Sequence, residues 1–89
     1  MAVISMFYGI IISMYYLDKR QHHLPHIHVR YQEQEIVLSI VDGEVLGGAL
    51  KTNKLRLVQA WIEIHREDLM ADWLLASQGQ TVFTIDPLK

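Results

Sequence analysis

Apolar and polar residues alternate through much of the first half of this chain, then switch after Leu50 to a repeat of three and four. Alternation is the period of a half-buried strand, and steps of three and four mark one face of a helix. In Phe7 to Tyr16, Ile10, Ile12 and Met14 alternate with Ile11, Ser13 and Tyr15, which predicts one strand with a rich apolar face, bulged or bent at Gly9. Asp18 to Leu24 reads as a loop. Pro25 fixes its own φ and pushes Leu24 toward an extended conformation. The second strand, His26 to Gln32, then sends His26, His28 and Arg30 to one side and Ile27, Val29 and Tyr31 into a core. A polar turn at Gln32-Glu33-Gln34 leads to a third strand, Glu35 to Val41, rich in β-branched residues. Asp42-Gly43 predicts a primed hairpin turn. Glu44 to Leu50 is a fourth strand, weakened by Gly47-Gly48.

Beyond Leu50, the residues Leu55, Val58, Trp61, Ile62, His65, Leu69, Trp73 and Ala76 lie on one face of an amphipathic helix. Thr52 or Asn53 is suited to cap its start, and Gly79 follows its end. A straight helix of this length would run about 40 Å, long for so small a protein, so a break near Arg66-Glu67-Asp68 is expected. Thr81 to Ile85 reads as a last short strand that Pro87 terminates. The sum is an α+β fold: an antiparallel sheet of four to five strands with one long helix, kinked or straight, packed on one face.

The length of 89 residues allows a single domain, residues 1–89, with a thin core. Cysteine is absent, which excludes disulfides and thiolate metal sites and fits a cytoplasmic protein. The apolar run Val3 to Leu17 falls short of the about 20 residues that span a bilayer. It has no basic residue before it and no cleavage pattern after it, so neither a membrane nor a secretory role is expected. The net charge of −2 argues against a general nucleic-acid coat protein. The charge is unevenly spread, however. Lys19, Arg20 and Arg30 form one basic group and Lys51, Lys54 and Arg56 another, which leaves RNA open as a partner.

Four of the five histidines fall within His22-His23-Leu24-Pro25-His26-Ile27-His28; the fifth is His65. Imidazole changes charge near neutral pH, moves protons and binds transition metals. Three chemistries follow. In the first, His26 and His28, two apart on a strand, have Cα atoms about 7 Å apart and can share one ion. His22, His23 or His65 would supply a third ligand, giving zinc or another divalent transition metal in an open, hydrolytic site. In the second, His26 and His28 act as acid and base on a phosphodiester, with a basic side chain, Arg30, Arg20 or Lys19, stabilising the charge that develops and His65 as a further catalytic candidate. In the third, the histidines are hydrogen-bonded parts of a non-catalytic interaction module, His65 is a satisfied residue on the helix stripe, and Trp61 and Trp73 are core anchors. No glycine-rich phosphate loop, nucleophile-elbow serine or zinc-protease helix motif is present.

The runs Phe7-Tyr8-Gly9-Ile10, Met14-Tyr15 and Pro25-His26-Ile27-His28-Val29 resemble the bacterial domain of unknown function 4160. Asp42-Gly43, Leu46-x-Gly48, Leu57-Val58, Trp61, His65, Leu69, Trp73 and Ile85-x-Pro87-Leu88 extend the resemblance over nearly the whole chain. Ile27 stands where that family often has phenylalanine, and Ala49-Leu50-Lys51 lacks its usual proline. The resemblance implies a small prokaryotic protein, commonly encoded beside another small protein in an arrangement similar to a toxin–antitoxin pair. The matching polar positions are His22, His26, His28 and His65. The expectation is therefore a component of such a module, working through a small protein partner or RNA. A histidine-ligated metal-dependent hydrolase and a non-catalytic interaction module are the alternatives. A homodimer is compatible with an unpaired edge strand.

Overall fold

Tyr8 and Gly9 both take positive φ, 51° and 78°, and this divides the first apolar run into two strands. The structure, a computed structural model, describes residues 2–16 and 24–88. In it β1 (Ala2–Phe7) turns back on β2 (Ile10–Met14), with Phe7 opposite Ile10. Positive φ at both central residues is the primed geometry that matches strand twist. The single strand expected over Phe7 to Tyr16 is thus a hairpin, because Tyr8 accepts a left-handed conformation that its residue type does not announce. A bulge between Val3 and Ser5 turns both Ile4 and Ser5 inward, where they are buried.

Three further strands follow: β3 (His26–Tyr31), β4 (Gln34–Ser39) and β5 (Val45–Gly48). All pair antiparallel with their sequence neighbours in the order β1-β2-β3-β4-β5. The expected primed turn at Asp42-Gly43 is instead part of a longer loop. Gly43 N–H donates to the Ser39 carbonyl at 2.8 Å, and Ser39 N–H donates to the Glu44 carbonyl at 2.9 Å. Asp42 bends the loop by accepting the Glu44 N–H on its own side chain. At Gly48 (φ 80°) a Cβ would collide with the Glu35 carbonyl oxygen, so this edge strand lies closer to β4 than any other residue would permit.

The register fixes the two faces of the sheet. Ile12, Val29 and Ile36 are aligned across β2, β3 and β4, as are Ile27 and Leu38 across β3 and β4, and all are buried. Against them lies α1 (Thr52–Ser77), which contributes Val58, Trp61, Ile62 and Leu69 to the same core. Neither Thr52 nor Asn53 caps α1. Lys51 is the capping residue, without a side-chain cap bond, and its N–H is held by Gln34 Oε1 at 2.8 Å.

The break comes at His65 (φ −110°, ψ 20°), one residue before the expected segment. A straight helix of 26 residues, about 39 Å, would overhang a molecule measuring 33 × 28 × 21 Å. Beyond the break, Arg66 Nε donates to the Ile40 carbonyl at 2.9 Å and Leu69 is fully buried. At the far end, Gly79 (φ 72°) closes the helix: Gly79 N–H bonds the Ala76 carbonyl and Gln80 N–H the Leu75 carbonyl. That pair of bonds satisfies two of the last carbonyls, as in a Schellman motif.

Residues 81–85 do not form the strand expected of them. Ile85 N–H makes a single backbone bond to the Ile4 carbonyl at 2.8 Å, and the segment is otherwise held by side chains. Trp61 Nε1 donates to the Asp86 carbonyl at 2.8 Å, and Asp72 Oδ1 accepts the Phe83 N–H at 2.9 Å. The α+β architecture is therefore a five-stranded antiparallel sheet with one long, broken helix on its inner face and an extended tail along β1. Among the described residues no helix is long and apolar enough to cross a membrane.

Candidate functional site

The Pro25 segment delivers His26 and His28 to the start of β3, and their rings come together. The ring centroids lie 5.3 Å apart. Tyr15 meets His28 edge-on at 4.4 Å, Trp73 lies 5.0 Å from His26, and Tyr16 lies 5.3 Å from Trp73. Five aromatic and imidazole rings thus form a continuous chain, Tyr16–Trp73–His26–His28–Tyr15. It joins the end of β2, the start of β3 and the second half of α1.

The register puts His26, His28 and Arg30 on the face away from the helix, opposite Ser39, Val37 and Glu35. His26 nonetheless does not project into solvent. Its relative exposure is 0 %; it opens the strand at the end of the sheet, and Trp73 from α1 meets its ring there. His26 Nδ1 lies 2.7 Å from the Leu24 carbonyl oxygen. A carbonyl can only accept, so Nδ1 carries the hydrogen, and in the neutral ring Nε2 holds the lone pair. The Nε2 atoms of both His26 and His28 are enclosed.

Arg30 is exposed two residues further along this face, with Nε donating to the Gln32 carbonyl at 3.3 Å. His22 and His23 lie outside the described residues. His65 keeps different company: its ring is 5.4 Å from Trp61, and Nδ1 is 3.8 Å from Asp68 Oδ2. Of the candidates from sequence, then, His26 and His28 are joined, Arg30 is a neighbour on the same face, and His65 belongs to another surface. Among the described residues no three His, Asp or Glu side chains converge as a metal site.

Tyr15, Tyr16 and Trp73 complete the ring chain but were not marked as site residues by sequence pattern. Trp73 falls on the apolar stripe of α1 and reads as core. The two tyrosines read as the end of a strand. A cleft of about 640 Å³ opens beside them, lined by Met14, Tyr15, Tyr16, Ala76 and Val82 among others. On the outer face of the same sheet, Val3, Met6 and Ile11 are exposed to the extent of 43 %, 63 % and 37 %. Met6 and Ile11 are direct partners across β1 and β2.

A smaller cleft, about 330 Å³, lies between the second half of α1 and the tail and is lined by His65, Asp68, Asp72, Phe83 and Asp86 among others. Asp72 is buried there. Burial pushes its carboxyl above the usual carboxylate range; the Phe83 N–H pulls it back in part, and the charge of Asp68 adds to the rise.

The order of motifs around this site can be set beside known families. A family model for a domain of unknown function, DUF4160, matches residues 9–74. The chain belongs to this family. The matched span of the DUF4160 domain runs from the β1–β2 turn through Trp73, so it contains four strands and every member of the ring chain. The chain matches no curated protein and no solved structure.

Proposed function

We propose that this DUF4160 protein is the partner-binding component of a small cytoplasmic two-protein module of the toxin–antitoxin kind. It docks its partner on the outer face of the sheet. His26 and His28 hold the shape of that face and do not transfer protons. The observation that carries this reading is the enclosure of both Nε2 atoms. A general acid or base has to come within hydrogen-bond reach of a substrate proton, and an imidazole whose Nε2 is enclosed and which lines neither the cleft beside Tyr15 nor the one beside Asp72 is badly placed to reach a ribose hydroxyl. The accessible part of the face is apolar instead, at Val3, Met6 and Ile11, with Arg30 beside it. Exposed apolar patches with a polar rim mark protein–protein surfaces.

The test is co-expression with the product of the neighbouring gene. Wild type should elute with that protein as one complex, and a Met6→Glu, Ile11→Glu double variant should not. Expression of this chain alone should leave growth unchanged. Growth arrest by wild type that is abolished in a His26→Ala, His28→Ala variant would replace this reading with an RNA-cleaving toxin in which His26, His28 and Arg30 act directly.

A second reading has its own supporting observation. A histidine that donates Nδ1–H to a backbone carbonyl is oriented to offer Nε2 to a metal, and His26 does so with His28 alongside. These two residues would hold zinc or a similar divalent ion, with His22 as a further ligand by its place in the sequence, and the bound ion would supply a hydrolytic water. Metal analysis of untagged protein decides it: stoichiometric zinc or nickel favours the hydrolase, and its absence after growth in metal-supplemented medium removes it.

A further inference from the structure

The cleft between α1 and the tail is acidic. Asp68, Asp72 and Asp86 line it, and among the described residues no lysine or arginine does. The nearest arginine in sequence, Arg66, is committed elsewhere, to the Ile40 carbonyl at 2.9 Å and to Glu63 at 3.0 Å. His65 faces Asp68 at 3.8 Å and is the only basic side chain among the described residues that line the cleft.

Asp72 supplies a second, independent observation. It lines the cleft yet is 2 % exposed, so it forms the floor. Its Oδ1 is satisfied by the Phe83 N–H, whereas its Oδ2 is enclosed with no hydrogen-bond partner. An enclosed carboxylate oxygen without a donor is costly and calls for a group to complete it. At the rim, Phe83 is 71 % exposed, an unusual position for a phenylalanine that also borders a charged cleft.

We propose that this cleft receives the guanidinium of an arginine presented by a partner protein. A guanidinium has five donors in one plane, enough to engage Asp72 and Asp68 together, and it stacks on aromatic faces such as Phe83. An ammonium would use neither the plane nor the ring as well. The recess suits one side chain, and charge complementarity selects its sign. This surface is distinct from the outer sheet face. The inference extends the partner-binding reading only in placing the arginine on a protein.

The experiment titrates the full chain with N-acetyl-arginine amide, followed by amide and imidazole NMR resonances, with N-acetyl-citrulline amide as the uncharged control of the same shape. Saturable shifts centred on Phe83, Thr84 and His65 are expected with arginine and not with citrulline. Asp72→Asn, which keeps an oxygen for the Phe83 N–H, should weaken binding about tenfold or more. Asp68→Asn, at a solvent-facing carboxylate, should weaken it about twofold to fivefold and covers the case in which the Asp72 variant does not fold. The inference is overturned if no shift appears up to the solubility limit, if citrulline shifts the same resonances with the same midpoint, or if neither substitution changes the affinity. Since the probe needs no partner, this result and the co-expression result fail independently.

Discussion

At the scale of single residues, two positions carry consequences that their residue types alone do not reveal. Gly48 combines a φ of 80° with a Cβ position blocked by the Glu35 carbonyl. Gly48→Ala must either adopt a strained left-handed conformation or push β5 away from β4. It should lose about 2 kcal/mol or more, read as a lower urea midpoint at unchanged slope. Asp72 gives a pH signature. Its carboxyl lies above its ordinary value of 3.8 in the folded protein, so the folded state holds its proton more tightly than the unfolded state. The contribution to stability is then fully present below the unfolded value and is lost as pH rises through the folded one. Relative to Asp72→Asn, wild type should therefore lose stability as pH rises from 3.8 through the folded-state value, and the difference should level off beyond it. Paired urea unfolding curves of the two proteins at several pH values would show it. A constant difference across that range would mean that Asp72 titrates normally.

At the scale of elements, the turns and helix ends were the hardest to read and the easiest to test. Gly79 closes α1 at a φ of 72° with nothing within 4 Å of a Cβ. Gly79→Ala should therefore cost only the conformational term, about 1 kcal/mol, and clearly less than Gly48→Ala. Equal losses at the two sites would contradict the assigned collision at Gly48. In the β1–β2 turn, Tyr8 occupies a left-handed position (φ 51°) that Asn tolerates better. Tyr8→Asn should raise the thermal midpoint, with a gain of about 0.5 kcal/mol; an unchanged or lower midpoint would show that the ring contact with Phe7, at 6.3 Å, outweighs the backbone term.

At the scale of the whole molecule, one layer of helix and one strip of tail cover a sheet whose other face is partly open. The tail seals the β1 edge through the Ile85–Ile4 bond and places Ile85 in the core. A chain ending at Gln80 would lose that packing, leave the Trp61 N–H without its Asp86 acceptor and bare an edge strand. The expected outcome is a loss of about 3 kcal/mol or more together with concentration-dependent association, measured by sedimentation. A truncated chain that remained monomeric and equally stable would show that the tail is not part of the core.

Much of the architecture lay in the order of the residues. Ile27 and Val29, alternating with His26 and His28, set which side of β3 faces inward, and Val58, Trp61, Ile62 and Leu69 marked the buried stripe of α1. Both follow from local geometry, because a side chain's direction is fixed by the period of its own element. The adjacency of His26 and His28 was legible for the same reason. The tertiary structure alone decided the rest. It placed Trp73 and Tyr15 around the imidazoles, took His65 away from them to an acidic cleft, and left residues 81–85 as a tail tied by single bonds. These outcomes depend on contacts between elements distant in sequence, which the spacing of residues along the chain does not encode; the break of α1 at His65, by contrast, was foreshadowed by the length of the helix alone.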